Sequence, residues 1–401
     1  MTAAVLDLDV PLRLHPLTYL DEGDEVTVGR SDIDSYGLFP PDAAKLLRRL
    51  EAGHTPNDSA RWYEQQYGEQ VDIADFVQIL GEYELLIKDG EELPATPAIR
   101  WQRLGQALFS PVALLGYTGV VMAALVLMAA DHAVVPRYQN LFFTRGSLVL
   151  LSLGIVIGQI PWILLHEAYH ALAGRRLGLN SSLRIGRRFY YLVFLTSMDG
   201  LVAVPRRRRY LPMLAGMMID AVVAAALTLA AAPLLTSSGG PLLLGKYLLT
   251  MAFGALLRLA WQFYFFLRTD LYYTVTTVMG CHDLQTVARQ QLQNRWYRLT
   301  GHDERLIDPQ TWSPKDAGIA RWYSWLMLAG YGVMGGTLVF IGIPTIVNLA
   351  RLAFVRLGPD RTPLGIADVI GFVVLNLWEI VATGVLALRD YRRRARRPVT
   401  A

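Results

Sequence analysis

Long apolar segments dominate the chain after about residue 100 and predict membrane-spanning helices. Crossing the hydrocarbon core of a bilayer takes about 20 predominantly apolar residues in a helix. Six segments approach that length, at about 107–130, 147–172, 211–235, 243–267, 319–347 and 366–388. The pattern therefore predicts a mainly α, polytopic membrane protein with about six spans.

The first 90 residues show a different pattern, with short extended and helical segments. Residues alternate near Val26–Gly29, and helical spacing follows at Pro41–Glu51, Ser59–Tyr67 and Ile73–Glu82, before a closing strand at Leu85–Ile87. The apolar residues at helical spacing predict a core; they are Leu46, Leu47, Leu50, Trp62, Tyr63, Phe76, Val77 and Leu80. We expect a small α+β, winged-helix-like domain.

The charge distribution divides the chain at the same place. Residues 1–100 carry 20 acidic and 8 basic residues, a net charge of −12, whereas residues 101–401 carry 14 and 30, a net charge of +16. The acidic part lacks the basic surface that grips phosphates, so nucleic-acid binding is not expected. We predict a soluble domain at 1–93, a linker at 94–106, a membrane domain at 107–388 and a basic tail at 389–401.

The arginines predict the orientation in the membrane. The segment between the second and third predicted spans holds the run Arg206–Arg209, while the turn Ser237–Pro241 has no charge. Basic loops face the cytoplasm. Six spans then place both termini in the cytoplasm, which suits the basic tail. Cys281 is the single cysteine, so it forms no disulfide within the chain.

The second predicted span contains an HExxH motif, formed by His166, Glu167 and His170. On a helix the two histidines lie one turn apart on one face and can bind one metal ion, with the glutamate beside them as general base. A chance motif would leave three costly polar side chains inside a span. The motif predicts a Zn²⁺ site that hydrolyses peptide bonds.

A catalytic zinc usually has three protein ligands, so one more must come from elsewhere. Asp270 is the favoured ligand, because it and His170 both lie at the cytoplasmic ends of predicted spans. The alternative for Asp270 is an interfacial ion pair with Arg268. Asp199 is the rival ligand, and His282 is a weaker one.

Two further charges lie at matching depth in neighbouring spans. Asp220 and Arg258 are each nine residues from the cytoplasmic end of their predicted span, about 13 Å deep at 1.5 Å per residue. An unpaired charge at that depth is costly. We predict a structural ion pair between them, with Glu379 as the competing partner.

The HExxH motif and the segment Tyr264–Tyr273 (YFFLRTDLYY) resemble the site-2 protease family, and within it the peptide zinc metalloproteases of bacterial peptide-maturation clusters. Their second motif reads Asn-Pro-x-Leu-Arg-x-Asp-Gly-Tyr-Tyr. Here Tyr264, Phe265 and Leu271 replace the Asn, Pro and Gly, which removes a helix breaker and a flexible residue. The resemblance implies an intramembrane zinc metalloprotease in a bacterial plasma membrane, with Asp270 as metal ligand.

The segment Leu46–Gly53 (LLRRLEAG) and the pair Tyr67–Gly68 are similar to the leader-recognition domains of ribosomally made peptide pathways. That resemblance implies a precursor peptide as partner, bound as an added strand; a folding or regulatory appendage is the alternative. We therefore expect a protease that matures a ribosomally synthesised peptide. The alternative function is a catalytically inactive membrane partner that binds a modified peptide for export or self-protection.

Overall fold

The computed structural model describes residues 7–23, 25–87, 91, 99–144, 146–188, 191–236, 240–281, 283–356 and 362–395. The described residues fall into two compact units. The first contains those of 1–106, 171–182 and 197–210, and the second contains 107–170, 183–196 and those from 211 onwards.

The first unit begins with a three-stranded antiparallel sheet followed by three helices. The strands are β1 (Thr18–Asp21), β2 (Val26–Arg30) and β3 (Ser35–Phe39), in the order β1-β2-β3, and the helices are α1 (Pro41–Glu51), α2 (Pro56–Tyr67) and α3 (Ile73–Glu82). Val28 pairs with Tyr19 on one side and with Gly37 on the other. In place of the predicted closing strand, Leu86 forms an isolated antiparallel bridge with Leu14.

Local signals account for the helix ends in this unit. The bounds predicted for α1 and α3 are confirmed, but α2 begins three residues earlier than predicted. Its N-cap is Thr55, whose side chain accepts a hydrogen bond from the Asp58 backbone, and Pro56 occupies the first helical position. The predicted core residues are buried except Trp62, which is half-buried against the core and stacks under the Arg49 guanidinium.

Two of the arginines in the run Arg206–Arg209 bind Glu22 within the first unit. Arg206 Nε donates to Glu22 Oε2 at 3.0 Å, and Arg209 Nη2 donates to Glu22 Oε1 at 3.1 Å. Nearby, the Gly200 backbone donates to Asp34 Oδ1 at 2.8 Å. These arginines therefore hold the turn after β1 against the segment that follows residue 199.

The rest of the described chain is mainly helical. The helices are α4 (Gln102–Leu108), α5 (Pro111–Ala130), α6 (Leu148–Arg176), α7 (Arg206–Leu235), α8 (Leu243–Trp261), α9 (Asp270–Met279), α10 (Leu284–Thr300), α11 (Pro314–Thr337), α12 (Ile343–Arg356) and α13 (Pro363–Ala395). Two strands, β4 (Asn180–Arg188) and β5 (Tyr191–Asp199), pair between α6 and α7, where the sequence predicted only a loop.

Within the described residues, five helices are long and apolar enough to cross a membrane: α5, α6, α7, α8 and the stretch Pro314–Phe340 that includes α11. They match the first five predicted segments. The sixth falls in α13, whose apolar part spans Pro363–Leu375 in the described residues. The count of six spans therefore stays a prediction.

The predicted fourth span, 243–267, is wrong at its end. Helix α8 stops at Trp261, and a short 3₁₀ turn at Phe265–Leu267 separates it from α9. Arg268 has a φ of 54°, in the left-handed region. The chain thus breaks just before Asp270, although this segment contains neither proline nor glycine.

Candidate metal centre

His166 and His170 lie one turn apart on α6, as their spacing predicts. Their side chains are buried, with 7% and 5% of the residue surface exposed. The two Nε2 atoms are 3.1 Å apart, and the rings meet nearly edge to face. Both imidazoles therefore present the same nitrogen to one point.

Asp270 is the first residue of α9 and points its carboxylate to the same place. Its Oδ2 lies 3.2 Å from Nε2 of each histidine. The buried Thr269 caps α9, donating to the Gln262 carbonyl at 2.7 Å and accepting from the Tyr272 backbone. The Asp270 backbone donates to Gln262 Oε1 at 3.0 Å. These bonds to Gln262 fix where the helix, and hence the carboxylate, begins.

The other ring nitrogens show which atoms face the centre. His166 Nδ1 lies 2.8 Å from Asp220 Oδ2, and His170 Nδ1 lies 2.7 Å from the Pro212 carbonyl oxygen. A carboxylate and a carbonyl can only accept, so each Nδ1 carries a proton and donates it. In a neutral ring the Nε2 atom then has a free lone pair.

Three electron-pair donors thus converge, two imidazole nitrogens and a carboxylate oxygen, with edges of 3.1, 3.2 and 3.2 Å. A tetrahedral zinc with bonds of about 2.0–2.1 Å has ligand edges of about 3.3–3.4 Å. The edges of the observed triangle are about 0.1–0.3 Å shorter than those of one face of that tetrahedron. Among the described residues this is the one group of His, Cys, Asp and Glu side chains that could hold a metal ion.

Gly216 on α7 leaves the room for this centre. A Cβ atom at Gly216 would lie 2.3 Å from His170 Nε2 and 2.4 Å from His166 Nε2. Any other residue would therefore occupy the point where the two nitrogens converge. This role of Gly216 was not predicted, and the signal that could have found it is a glycine inside an apolar helix.

The predicted pairing of Asp220 with Arg258 is confirmed. Asp220 Oδ1 accepts from Arg258 Nη2 at 2.8 Å and from Nε at 3.1 Å. The other carboxylate oxygen contacts His166, which was not predicted, so the pair adjoins the candidate metal centre. The side chain of Glu379, the competing partner, is outside the described residues.

Glu167, the predicted general base, has a defined partner. Its Oε2 accepts a hydrogen bond of 2.7 Å from Thr196 Oγ1, on strand β5. Thr196 was not predicted, because β5 itself was missed.

The other candidates from the sequence are Asp199, His282 and, for the pairing of Asp270, Arg268. Asp199 ends β5 and is not among the three converging side chains. Asp270 contacts the two histidines, and Arg268 contacts Gln285, Thr286 and Asp283. His282 is outside the described residues. Asp270 is thus the candidate that the fold brings to the two histidines.

The chain was compared with protein-family models, with curated proteins and with solved structures, and none of them matches it.

Proposed function

We propose that this protein is an integral membrane zinc metalloprotease that hydrolyses a peptide bond near the cytoplasmic face of the membrane. The observation that carries the proposal is the convergence of His166 Nε2, His170 Nε2 and Asp270 Oδ2 on one buried point, with edges of 3.1–3.2 Å. In neutral imidazoles that carry the proton on Nδ1, the two Nε2 atoms can only accept, as can the carboxylate oxygen, and a cation between the three atoms offsets their mutual repulsion. Two imidazoles and one carboxylate also form a ligand set that catalytic zinc uses.

The membrane part of the proposal rests on the five apolar helices and on where the motif lies. His166 and His170 are on α6, one of those five, in a segment that is otherwise almost wholly apolar. Polar side chains at such positions are costly and are usually functional.

In the proposed hydrolysis, Glu167 and Thr196 each have one role beside the zinc. Bound zinc supplies Lewis acidity, which acidifies water and polarises a carbonyl group. Glu167 takes a proton from water and delivers it to the leaving amine. Thr196 holds the Glu167 carboxylate through its 2.7 Å hydrogen bond. The N-terminal domain, by its resemblance to leader-recognition domains, delivers a ribosomally made precursor peptide as the substrate.

The first test is metal content. Full-length protein purified in detergent is compared with His166→Ala, His170→Ala and Asp270→Ala by elemental mass spectrometry, and Asp199→Ala is the matched control. We expect near-stoichiometric zinc in the wild type and the control, and its loss in the other three variants. A wild type without metal would refute the metal centre, and zinc lost only with Asp199 would move the third ligand there.

The second test is catalysis. The full-length protein is incubated with candidate precursor peptides, and cleavage is followed by mass spectrometry. Glu167→Gln keeps the shape of the side chain but removes the base, so we expect it to retain zinc and lose cleavage. A wild type that binds zinc and peptide without cleaving any of them would favour the inactive binding partner.

A further inference from the structure

A buried chain of hydrogen bonds lies behind His166 and joins three helices. Asp220 on α7 is 1% exposed and uses its two carboxylate oxygens separately. Oδ2 accepts from His166 Nδ1 at 2.8 Å, and Oδ1 accepts both bonds from Arg258 on α8. Arg258 Nη1 also donates to Gln159 Oε1, on α6, at 2.5 Å. Each group in the chain therefore has a partner on both sides.

The chain determines which nitrogen of His166 can bind a metal. Because Asp220 Oδ2 accepts the Nδ1 proton, the Nε2 lone pair faces His170 and Asp270. His170 obtains the same tautomer from the Pro212 carbonyl, which belongs to the backbone. The tautomer of His166 depends instead on a side chain, and that side chain is held in turn by Arg258.

We propose that Asp220 and Arg258 are positioning residues of the metal centre, Asp220 by setting the tautomer of His166 and Arg258 by setting the orientation of Asp220. The inference rests on the proposed metal centre and assigns this ion pair a role beyond the structural one predicted from the sequence. Arg258 also places a positive charge against the Asp220 carboxylate within an apolar helix bundle.

An asparagine at position 220 separates the two roles. Arg258 donates two bonds to the Oδ1 position, and an amide nitrogen cannot accept them, so the Asn oxygen must face Arg258. The amide NH₂ then faces His166 and donates to Nδ1, which forces the proton onto Nε2 and blocks metal binding. Replacing Arg258 by methionine removes that constraint, because the amide can then turn its oxygen towards His166.

The experiment measures the affinity of full-length protein in detergent for Zn²⁺ and Co²⁺ by chelator competition. The variants are Asp220→Asn, Arg258→Met and their double, with Asp316→Asn as the matched control, since Asp316 is also a buried carboxylate, 2% exposed. The Co²⁺ absorption spectrum reports the ligand set, and thermal melting of the metal-free proteins reports the fold.

We expect Asp220→Asn to bind about 100-fold more weakly, the upper range for a residue that orients a metal ligand. Adding Arg258→Met should recover at least about tenfold of that loss and restore the Co²⁺ spectrum, although the double variant also lacks the ion pair. The control should bind like the wild type. A purely structural ion pair also allows recovery in the double variant, because Arg258→Met removes the charge that Asp220→Asn leaves unpaired, but the metal-free melting temperature should then fall and recover together with the affinity. The positioning role predicts that the affinity falls and recovers without a matching change in that melting temperature.

The inference is overturned if Asp220→Asn binds within about threefold of the wild type, or if the double variant binds no better than Asp220→Asn. If Asp220→Asn does not fold, the metal affinity of the double variant is compared with that of Arg258→Met. A double variant that binds metal more than about tenfold more weakly than Arg258→Met would overturn the inference. A wild type that binds no metal refutes both proposals. A wild type that binds metal but cleaves no peptide refutes only the proposed protease activity. An unchanged metal affinity in Asp220→Asn refutes only the positioning role.

Discussion

Replacing Gly216 by alanine should abolish metal binding at the proposed centre while leaving the fold in place. The added Cβ would lie 2.3–2.5 Å from His170 Nε2, His166 Nε2 and His166 Cε1. All three atoms are at the tips of imidazole rings, and none belongs to the backbone. Without metal the rings can swing aside, whereas with metal they cannot.

The size of the effect follows from these distances. Carbon atoms in contact are about 3.5–4.0 Å apart, and a somewhat closer nitrogen still requires a shift of about 1 Å. Metal–ligand distances tolerate only about 0.2 Å, so at least one imidazole must leave the metal. Structural zinc binding of about 10–16 kcal/mol, divided over four ligands, gives about 2.5–4 kcal/mol for each ligand. We therefore expect the affinity to fall by about 10²–10³-fold.

The assay measures zinc affinity by chelator competition and records thermal melting with and without chelator. Gly119→Ala is the matched control, because Gly119 is also inside an apolar helix and its Cβ would meet nothing within 4 Å. The metal-free melting temperatures of both variants should match or exceed the wild type, since alanine favours helix over glycine by about 1 kcal/mol. If Gly216→Ala binds zinc with wild-type affinity, the ligand geometry proposed here is wrong.

Two further predictions concern hydrogen bonds elsewhere in the fold. Thr196→Val removes the donor to Glu167, so we expect about a tenfold fall in kcat/KM with unchanged zinc affinity, whereas Thr196→Ser should keep activity; an equal loss in both variants would contradict the reasoning. In the first unit, two hydrogen bonds from the buried Arg30 lower the pKa of Asp32. The contribution of these bonds to stability is therefore present above about pH 4, and it is lost as the pH falls through the lowered pKa. Asp32→Asn should therefore lower the stability of the full-length protein by about 1 kcal/mol at neutral pH, with a smaller difference near pH 3; a constant difference in melting temperature across that range would refute it.

The sequence predicted the elements that follow from local pattern. Apolar length alone located five helices that could cross a membrane, and helical spacing found α1 and α3 with their bounds. The strand β5 was missed because the arginines around it suggested a loop, although its first five residues (YLVFL) form a short, continuous apolar run, a pattern consistent with a strand. The arginines indicate on which side of the membrane this segment lies, but they give no information on whether it forms a strand or a loop.

The candidate site was partly predictable for the same reason. His166 and His170 share a helix, so their spacing fixes their geometry. Asp220 and Arg258 could be paired by depth. The contact of Asp220 with His166 depends on how α6 and α7 pack. That packing requires Gly216, because a side chain there would collide with both imidazole rings. Sequence spacing within one helix gives no information on the packing between helices.

The break before Asp270 shows how packing replaces a missing local signal. In the resembling family an Asn-Pro pair and a glycine accompany this aspartate, and this chain lacks them. Gln285 on α10 is 4% exposed and uses both ends of its amide here, accepting from Arg268 Nε at 3.0 Å and donating to the Phe266 carbonyl at 2.7 Å. It thereby holds Arg268 in a left-handed conformation that a non-glycine residue rarely adopts. Since Gln285 on α10 supports the break, the replaced residues weigh little against Asp270 as the proposed third ligand.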